Sequence, residues 1–467
     1  MIAHTRKVFL LGLLLALILA GPGLAQTVKD GNDGTTLKQI TVFGRHGIRS
    51  SVVAPSILNR FSPDSYPAFA GVPAGYLTPR GRQAAQLLGS YFHDYLLHEG
   101  LLTGNARRDL DRAYFRANSI QRSNVTAARF GAGLIPGATI PVHSYGIADG
   151  ATPAVVDPVF DPVAAHVVTV DPERALAEAQ GIFGSGTAIT AAYKGELAVI
   201  GSALYPPGTK PVPGATQGSI DPTTVPFTLT ANKPVAFAGG AINTGGLYAV
   251  SAAADPFVMQ YADGFPPRDV AWGRLSLEAL SEQTRTATLE FAILMRLPYL
   301  SRVQSSNAAS HVLRSMDQAV SGITLPGAFG NGKTRVHVVI SSDAYVAGLA
   351  GLLDLHWLLP GYQPDFCAPG GALVFELRQV RKTKEHVVRI FYTAQSFDQL
   401  RNLTPLTLKE PPQTMQLFVP GGTDSGASLD VDFKTFKKLL LARIGREYVQ
   451  PYKKEVPPGV LMNVPLE

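Results

Sequence analysis

The sequence predicts an α/β fold: a mixed, largely parallel sheet sandwiched by helices, with an inserted, mainly α-helical cap domain. Two observations carry this. Short β-rich apolar runs alternate with helical patterns along most of the chain, which is the signature of strands buried on both faces. Residues 164–272 break that alternation with helical pieces and a turn-dense stretch. At 467 residues, 46% hydrophobic and 16% charged, the chain can bury a large core.

The elements follow in order. Arg6 and Lys7 precede the apolar run Phe9 to Ala20 and the small-residue stretch Gly23-Leu24-Ala25, the three-part pattern of a secretory signal peptide over residues 1–25. That run is short for a bilayer span. A polar leader then gives way to a strand ending in FGRHG. Residues 77–97 carry helical spacing, with Thr78 as N-cap and Pro79 in the first turn. Residues 113–118 read as a strand leading into a helix over 123–134, closed by Gly133 and Pro136. Within 164–272 lie a short helix (PERALAEAQGIFG), the apolar segment 187–205 and the loop-like 206–226. Beyond it the pattern predicts a long amphipathic stretch over 275–296, a helix near 308–321 and a buried strand over 335–340. A helix over 344–355 and strands over 372–379 and 386–393 complete the series. The α/β core would thus comprise residues 37–163 and 273–467.

Composition narrows the function. Cleavage after Ala25 removes Arg6 and Lys7 and lowers the formal charge from +6 to +4, which suits a small anionic substrate. With no basic block and no interleaved aromatics, a nucleic-acid partner is not expected. No second apolar run of spanning length follows, so a periplasmic or secreted protein without stable membrane association is expected. Cys367 is the single cysteine, which rules out an intrachain disulfide, and no Cys/His spacing suggests a metal. Residues 327–334, GAFGNGKT, satisfy a P-loop pattern, but a helix precedes them and a strand follows, the reverse of the order phosphate binding needs. They read as a turn.

The chemistry concentrates in FGRHGIRS, residues 43–50. A strand delivers this loop to the carboxyl edge of the sheet, where α/β folds bind ligands. Gly44 and Gly47 bracket the turn and allow close backbone approach. Arg45 and Arg49 beside His46 would depress the imidazole pKa unless an anion sat between them. A phosphoryl group, paired with guanidinium, fits that demand and leaves a neutral imidazole free as nucleophile.

These residues resemble the histidine acid phosphatase family, branch 2 of the histidine phosphatase superfamily, and most of all its bacterial periplasmic phytases and glucose-1-phosphatases. RHGIR (45–49), LTPRG (77–81), QRSNVTAARFGAGLIPG (121–137), VAWGR (270–274), WLLPG (357–361), APGGALVFEL (368–377) and LRNLTPLTL (400–408) carry the likeness. It implies an acid phosphatase that needs no cofactor and acts on small phosphate esters. His46 would be the nucleophile that becomes phosphohistidine. Arg45, Arg49 and Arg122 would bind phosphate, and Asp343 would be the proton donor and then the base.

In one place the chain departs from the family. ISSDAYV carries Ser342 where relatives have a histidine before the acid, so a neutral hydroxyl replaces a charge-assisted donor to phosphate and a cationic neighbour of Asp343. That loss is worth roughly 1.5 to 3 kcal/mol. The alternative reading is a degenerate relative that binds phosphate esters without efficient turnover. A second departure is the absence of disulfides: Gly421 and Gly422 stand where a cysteine might be expected.

Overall fold

The first strand, β1 (Thr35–Arg45), is almost wholly buried, and the rest of the fold is arranged around it. The computed structural model describes residues 33–145, 156–233, 238–422 and 428–450, so the signal-peptide segment lies outside the described residues. After β1 come α1 (Pro55–Leu58), α2 (Pro79–His98), α3 (Ala106–Leu110), β2 (Ala113–Ala117), α4 (Gln121–Leu134) and β3 (Val142–His143). Next are α5 (Pro172–Phe183), α6 (Gly186–Ala192), α7 (Lys194–Leu204), the strands β4 (Phe227–Ala231) and β5 (Ile242–Gly245), and α8 (Gly246–Ala262). The chain continues through α9 (Leu277–Glu282), α10 (Thr284–Leu294), α11 (Pro298–Ser321), β6 (Val336–Ser341) and α12 (Asp343–Leu353). It closes with β7 (Ala372–Val380), β8 (His386–Ala394), α13 (Phe397–Asn402), β9 (Gln413–Gln416), β10 (Val431–Asp432) and α14 (Phe433–Arg443).

The main sheet is mixed, in the order β10-β8-β7-β1-β6-β2-β3, with β9 added beside β8. β1, β6, β2 and β3 run parallel, whereas β7 joins β1, and β8 joins β7, antiparallel. Alternation along β1 sends Ile40 and Val42 into an apolar cluster with Leu88 and Phe92 of α2 and Phe130 of α4. Phe43 faces the other way, into a second cluster with Val303 of α11 and Val346 of α12. Each such side chain contributes about 1.5–3 kcal/mol on burial. That second cluster also takes in Ala175, Ile189, Ile200 and Phe257 of the 164–272 segment, which folds as α5–α8 and the β4–β5 pair. Packing of this kind, without disulfides, holds the described chain; Cys367 is free and buried.

The structure corrects several boundaries. The stretch 275–296 is two helices, α9 and α10, divided at Gln283. α11 starts at Pro298, ten residues before the expected helix, because its first turns bury polar side chains that mask the apolar period. Asn307 donates from Nδ2 to Pro158 O at 2.7 Å, and Gln304 donates to Phe160 O. Ser342 holds the N-cap position of α12, and Asp343 is its first helical residue. The GAFGNGKT loop is the turn expected, and its amides are engaged internally. Phe329 N donates to Ser315 Oγ at 2.8 Å, Asn331 N to Thr334 Oγ1 at 3.0 Å and Gly332 N to Thr324 Oγ1 at 3.2 Å, leaving no phosphate cradle there.

One buried acid predicts a pH dependence of stability. Asp161, 7% exposed, accepts only neutral donors, Ala164 N and Tyr345 Oη, each at 3.2 Å. Burial pushes its pKa from 3.8 up to about 7. A folded-state pKa above the unfolded value means stability that is full below the unfolded pKa and lost as pH rises through about 7. Asp161→Asn should therefore flatten the fall in Tm between pH 4 and pH 8 and raise Tm at the alkaline end, by an amount on the order of a few kcal/mol in stability. Parallel melting curves for the two proteins across that range would refute it.

Candidate active site

Three parallel strands end at one edge. β1 delivers Arg45 and then His46; its neighbour β6 delivers Ser341, Ser342 and Asp343; β2, beyond β6, leads through 118–120 into Arg122 at the start of α4. The pairing Arg45↔Ser341 brings the first two together, and His46 N donates to Ser341 O at 2.9 Å to extend the ladder one residue. Gly370 N in turn donates to His46 O at 2.9 Å, so the nucleophile candidate is held from both sides. The tight approach at Gly47 is to protein rather than to a ligand: a Cβ there would lie 3.2 Å from Gly81 O. At Gly81 itself a Cβ would meet Ile48 O at 2.2 Å, so only glycine lets α2 sit against this loop. Thr78 caps α2 there, accepting from Gly81 N, as expected.

The imidazole of His46 is 1% exposed. Its Nδ1 lies 2.9 Å from Gly47 O, and because a carbonyl can only accept, Nδ1 carries the proton. Nε2 then keeps its lone pair. Burial, followed by the charges of Arg122, Arg45 and Arg49, holds His46 neutral, with a pKa well below the ordinary value. These are the conditions a nitrogen nucleophile requires.

The guanidinium groups differ in how they are matched. Arg45 donates to Cys367 O and, through Nη2, reaches Asp343 Oδ2 at 2.9 Å, so Arg45 is the cation beside Asp343 that the Ser342 position lacks. Arg49 makes a two-pronged pair with Asp255 of α8, at 2.8 and 2.9 Å. Burial opposes ionisation of Asp255, but the Arg49 pair prevails and holds its carboxyl below the usual range. Arg122 donates to Gly75 O at 3.2 Å and has no carboxylate partner among the described residues. Burial and then Arg49 pull its pKa down to about 10. The Nε groups of all three arginines are buried without an acceptor. Such crowding favours an incoming anion.

All six sequence candidates, Arg45, His46, Arg49, Arg122, Ser342 and Asp343, line one cleft of about 290 Å³. Ser342 makes no side-chain cap bond with α12, which leaves its hydroxyl for the cleft. Three further acids line it that the sequence did not single out, Asp365 ahead of β7 and, inside helices, Asp255 on α8 and Glu290 on α10. The available signal was a lone carboxylate in an apolar helical run, SAAADPFVM and TATLEFAIL.

Residues 36–180 match the histidine phosphatase superfamily, branch 2. The matched segment holds Arg45, His46, Arg49 and Arg122, and the match supports a phosphomonoester hydrolase. Among curated relatives it is 28% identical over 407 residues to phytase AppA of Escherichia coli, covering 84% of this chain and 88% of that one. It is 25% identical over 400 residues to the glucose-1-phosphatase of Providencia rettgeri, covering 85% and 89%. Among solved structures, the apo form of Hafnia alvei phytase superposes with a TM-score of 0.76 at 26% identity, covering 90% of this chain and 99% of that one.

The Asp255–Arg49 pair predicts a positioning effect. Asp255→Ala leaves Arg49 without its anchor, so KM for a phosphate ester and the inhibition constant for inorganic phosphate should both rise about tenfold, the equivalent of 1.4 kcal/mol. Asp255→Glu should recover part of the loss. A lower Tm with unchanged KM and phosphate inhibition would make Asp255 purely structural.

Proposed function

We propose that the protein is an exported acid phosphatase working through a phosphohistidine intermediate. The observation that carries this reading is the neutral His46, with Nε2 unprotonated, among three guanidinium groups of which Arg122 has no carboxylate partner among the described residues. A phosphate ester binds with its oxygens on Arg45, Arg49 and Arg122, aided by the Ser342 hydroxyl and the amino end of α12. Nε2 attacks phosphorus; the N–P bond forms as the ester P–O bond breaks. Asp343, in its protonated form, passes its proton to the leaving oxygen. It then removes a proton from water, whose oxygen attacks phosphorus, breaks the N–P bond and releases inorganic phosphate. The arginines neutralise charge that grows in both transition states. Export is inferred from residues 1–25; among the described residues no helix is long and apolar enough to cross a membrane. The phytase and glucose-1-phosphatase relatives support small organic phosphates as substrates.

His46→Ala should abolish release of phosphate from an aryl phosphate, and acid quench of the wild type with labelled substrate should trap acid-labile label on His46. Label on a serine would overturn the mechanism. Asp343→Asn should slow an alkyl phosphate by about 10²–10⁴-fold and an aryl phosphate less, since a good leaving group needs little proton donation. Equal losses on both would make Asp343 structural.

Ser342→His should raise catalytic efficiency at acid pH by about ten- to a hundredfold by adding a charged donor. A stable variant with unaltered kinetics and phosphate inhibition would show that position 342 does not face the phosphate. No turnover by the wild type between pH 3 and 7, together with phosphate binding, would instead establish a binding protein.

A further inference from the structure

The cations of the cleft are confined to its phosphate end. Among the described residues that line it they are Arg45, Arg49 and Arg122, set against four carboxyl groups, Asp255, Glu290, Asp343 and Asp365. Arg45 is already paired with Asp343 and Arg49 with Asp255, while Asp365 is tied to Arg296 and His356. The remaining acid, Glu290, has no cationic partner among the described residues; its charged neighbours are Asp343 and Asp255. The wall that α8 and α10 contribute around it is otherwise apolar or neutral, with Tyr248, Thr286, Thr288, Phe291 and Leu294. Thr286 Oγ1 turns back onto Gln283 O at 2.9 Å, so even its polarity is partly consumed within α10.

We propose that this wall, through Glu290, makes the cleft selective for monophosphate esters of uncharged, hydroxyl-bearing or aryl leaving groups and excludes substrates carrying further phosphates. The proposal rests on the phosphatase reading above and names its substrate class. A phosphate dianion is accommodated by the three arginines, but a second phosphate on the same molecule would have to lie against a wall whose described residues offer no cation to pair with it and place a carboxyl group in its way. Burial, reinforced by the two neighbouring carboxylates and opposed by the Ser251 hydroxyl, pushes the pKa of Glu290 up to about 7. In acid Glu290 is therefore a neutral acid that can donate a hydrogen bond to a leaving-group hydroxyl, and above neutrality it is an anion that repels phosphate. Neither form supplies positive charge.

The test compares kcat/KM on p-nitrophenyl phosphate, a hexose monophosphate and myo-inositol hexakisphosphate for the wild type and for Glu290→Lys. The expected result is that the wild type favours both monophosphates over the hexakisphosphate, and that the lysine variant narrows this ratio about tenfold or more, a change of 1.4 kcal/mol. Should Glu290→Lys fail to fold, Thr288→Lys places the cation on the same wall and should move the ratio in the same direction. A wild type that prefers the hexakisphosphate, or a folded lysine variant with the ratio unchanged, overturns the proposal while leaving the phosphatase reading intact. If no substrate is hydrolysed, the phosphatase reading fails, and calorimetry decides the selectivity separately. Hexakisphosphate binding no tighter than inorganic phosphate supports the proposal, and binding more than about tenfold tighter refutes it.

Discussion

The constraint on which the site depends is the burial of three guanidinium groups against one imidazole. Like charges so close, and so little hydrated, repel strongly, and the surroundings show how that repulsion is contained. Asp343 answers Arg45 at 2.9 Å, Asp255 answers Arg49 with two bonds, and Cys367 and Gly75 offer carbonyl oxygens to Arg45 and Arg122. His46 responds by remaining neutral. The excess cation, Arg122, has no carboxylate partner among the described residues, which keeps the cluster from closing into a salt-bridge network.

This economy of charge links the fold to the chemistry. Parallel pairing of β1, β6 and β2 is what allows residues 45, 122 and 343, far apart in the chain, to leave the sheet at the same edge. α8, from the segment between β3 and β6, supplies the carboxylate that holds Arg49, so the site is completed by an element outside the parallel strands. A serine at position 342 brings a neutral hydroxyl and no charge to this arrangement. It leaves His46, the arginines and Asp343 in place, because none of their contacts passes through that side chain.

Much of this was legible in the sequence where local rules govern. Thr78-Pro79 announced the start of α2, the alternation of apolar runs announced an α/β sheet, and the RHGIR residues stand at the end of a buried strand, where the sequence puts them. Less legible was any element whose stability comes from distant partners. The first turns of α11 hide their helical period because Gln304 and Asn307 are buried against the carbonyls of Phe160 and Pro158, far away in sequence. The break at Gln283 likewise divides a stretch whose apolar spacing reads as continuous.

By itself, the sequence determined the chemical identities: an imidazole flanked by arginines at the end of a strand, an acid at the start of a helix, and a serine beside that acid. These are local, and residue type with spacing suffices to state them. Only the tertiary structure decided which cation meets which carboxylate, that Asp255 anchors Arg49 across 206 residues, and that Glu290 stands in the cleft without a counter-charge among the described residues. Electrostatic energy depends on distance through space and on burial, and neither is encoded in the separation of residues along the chain.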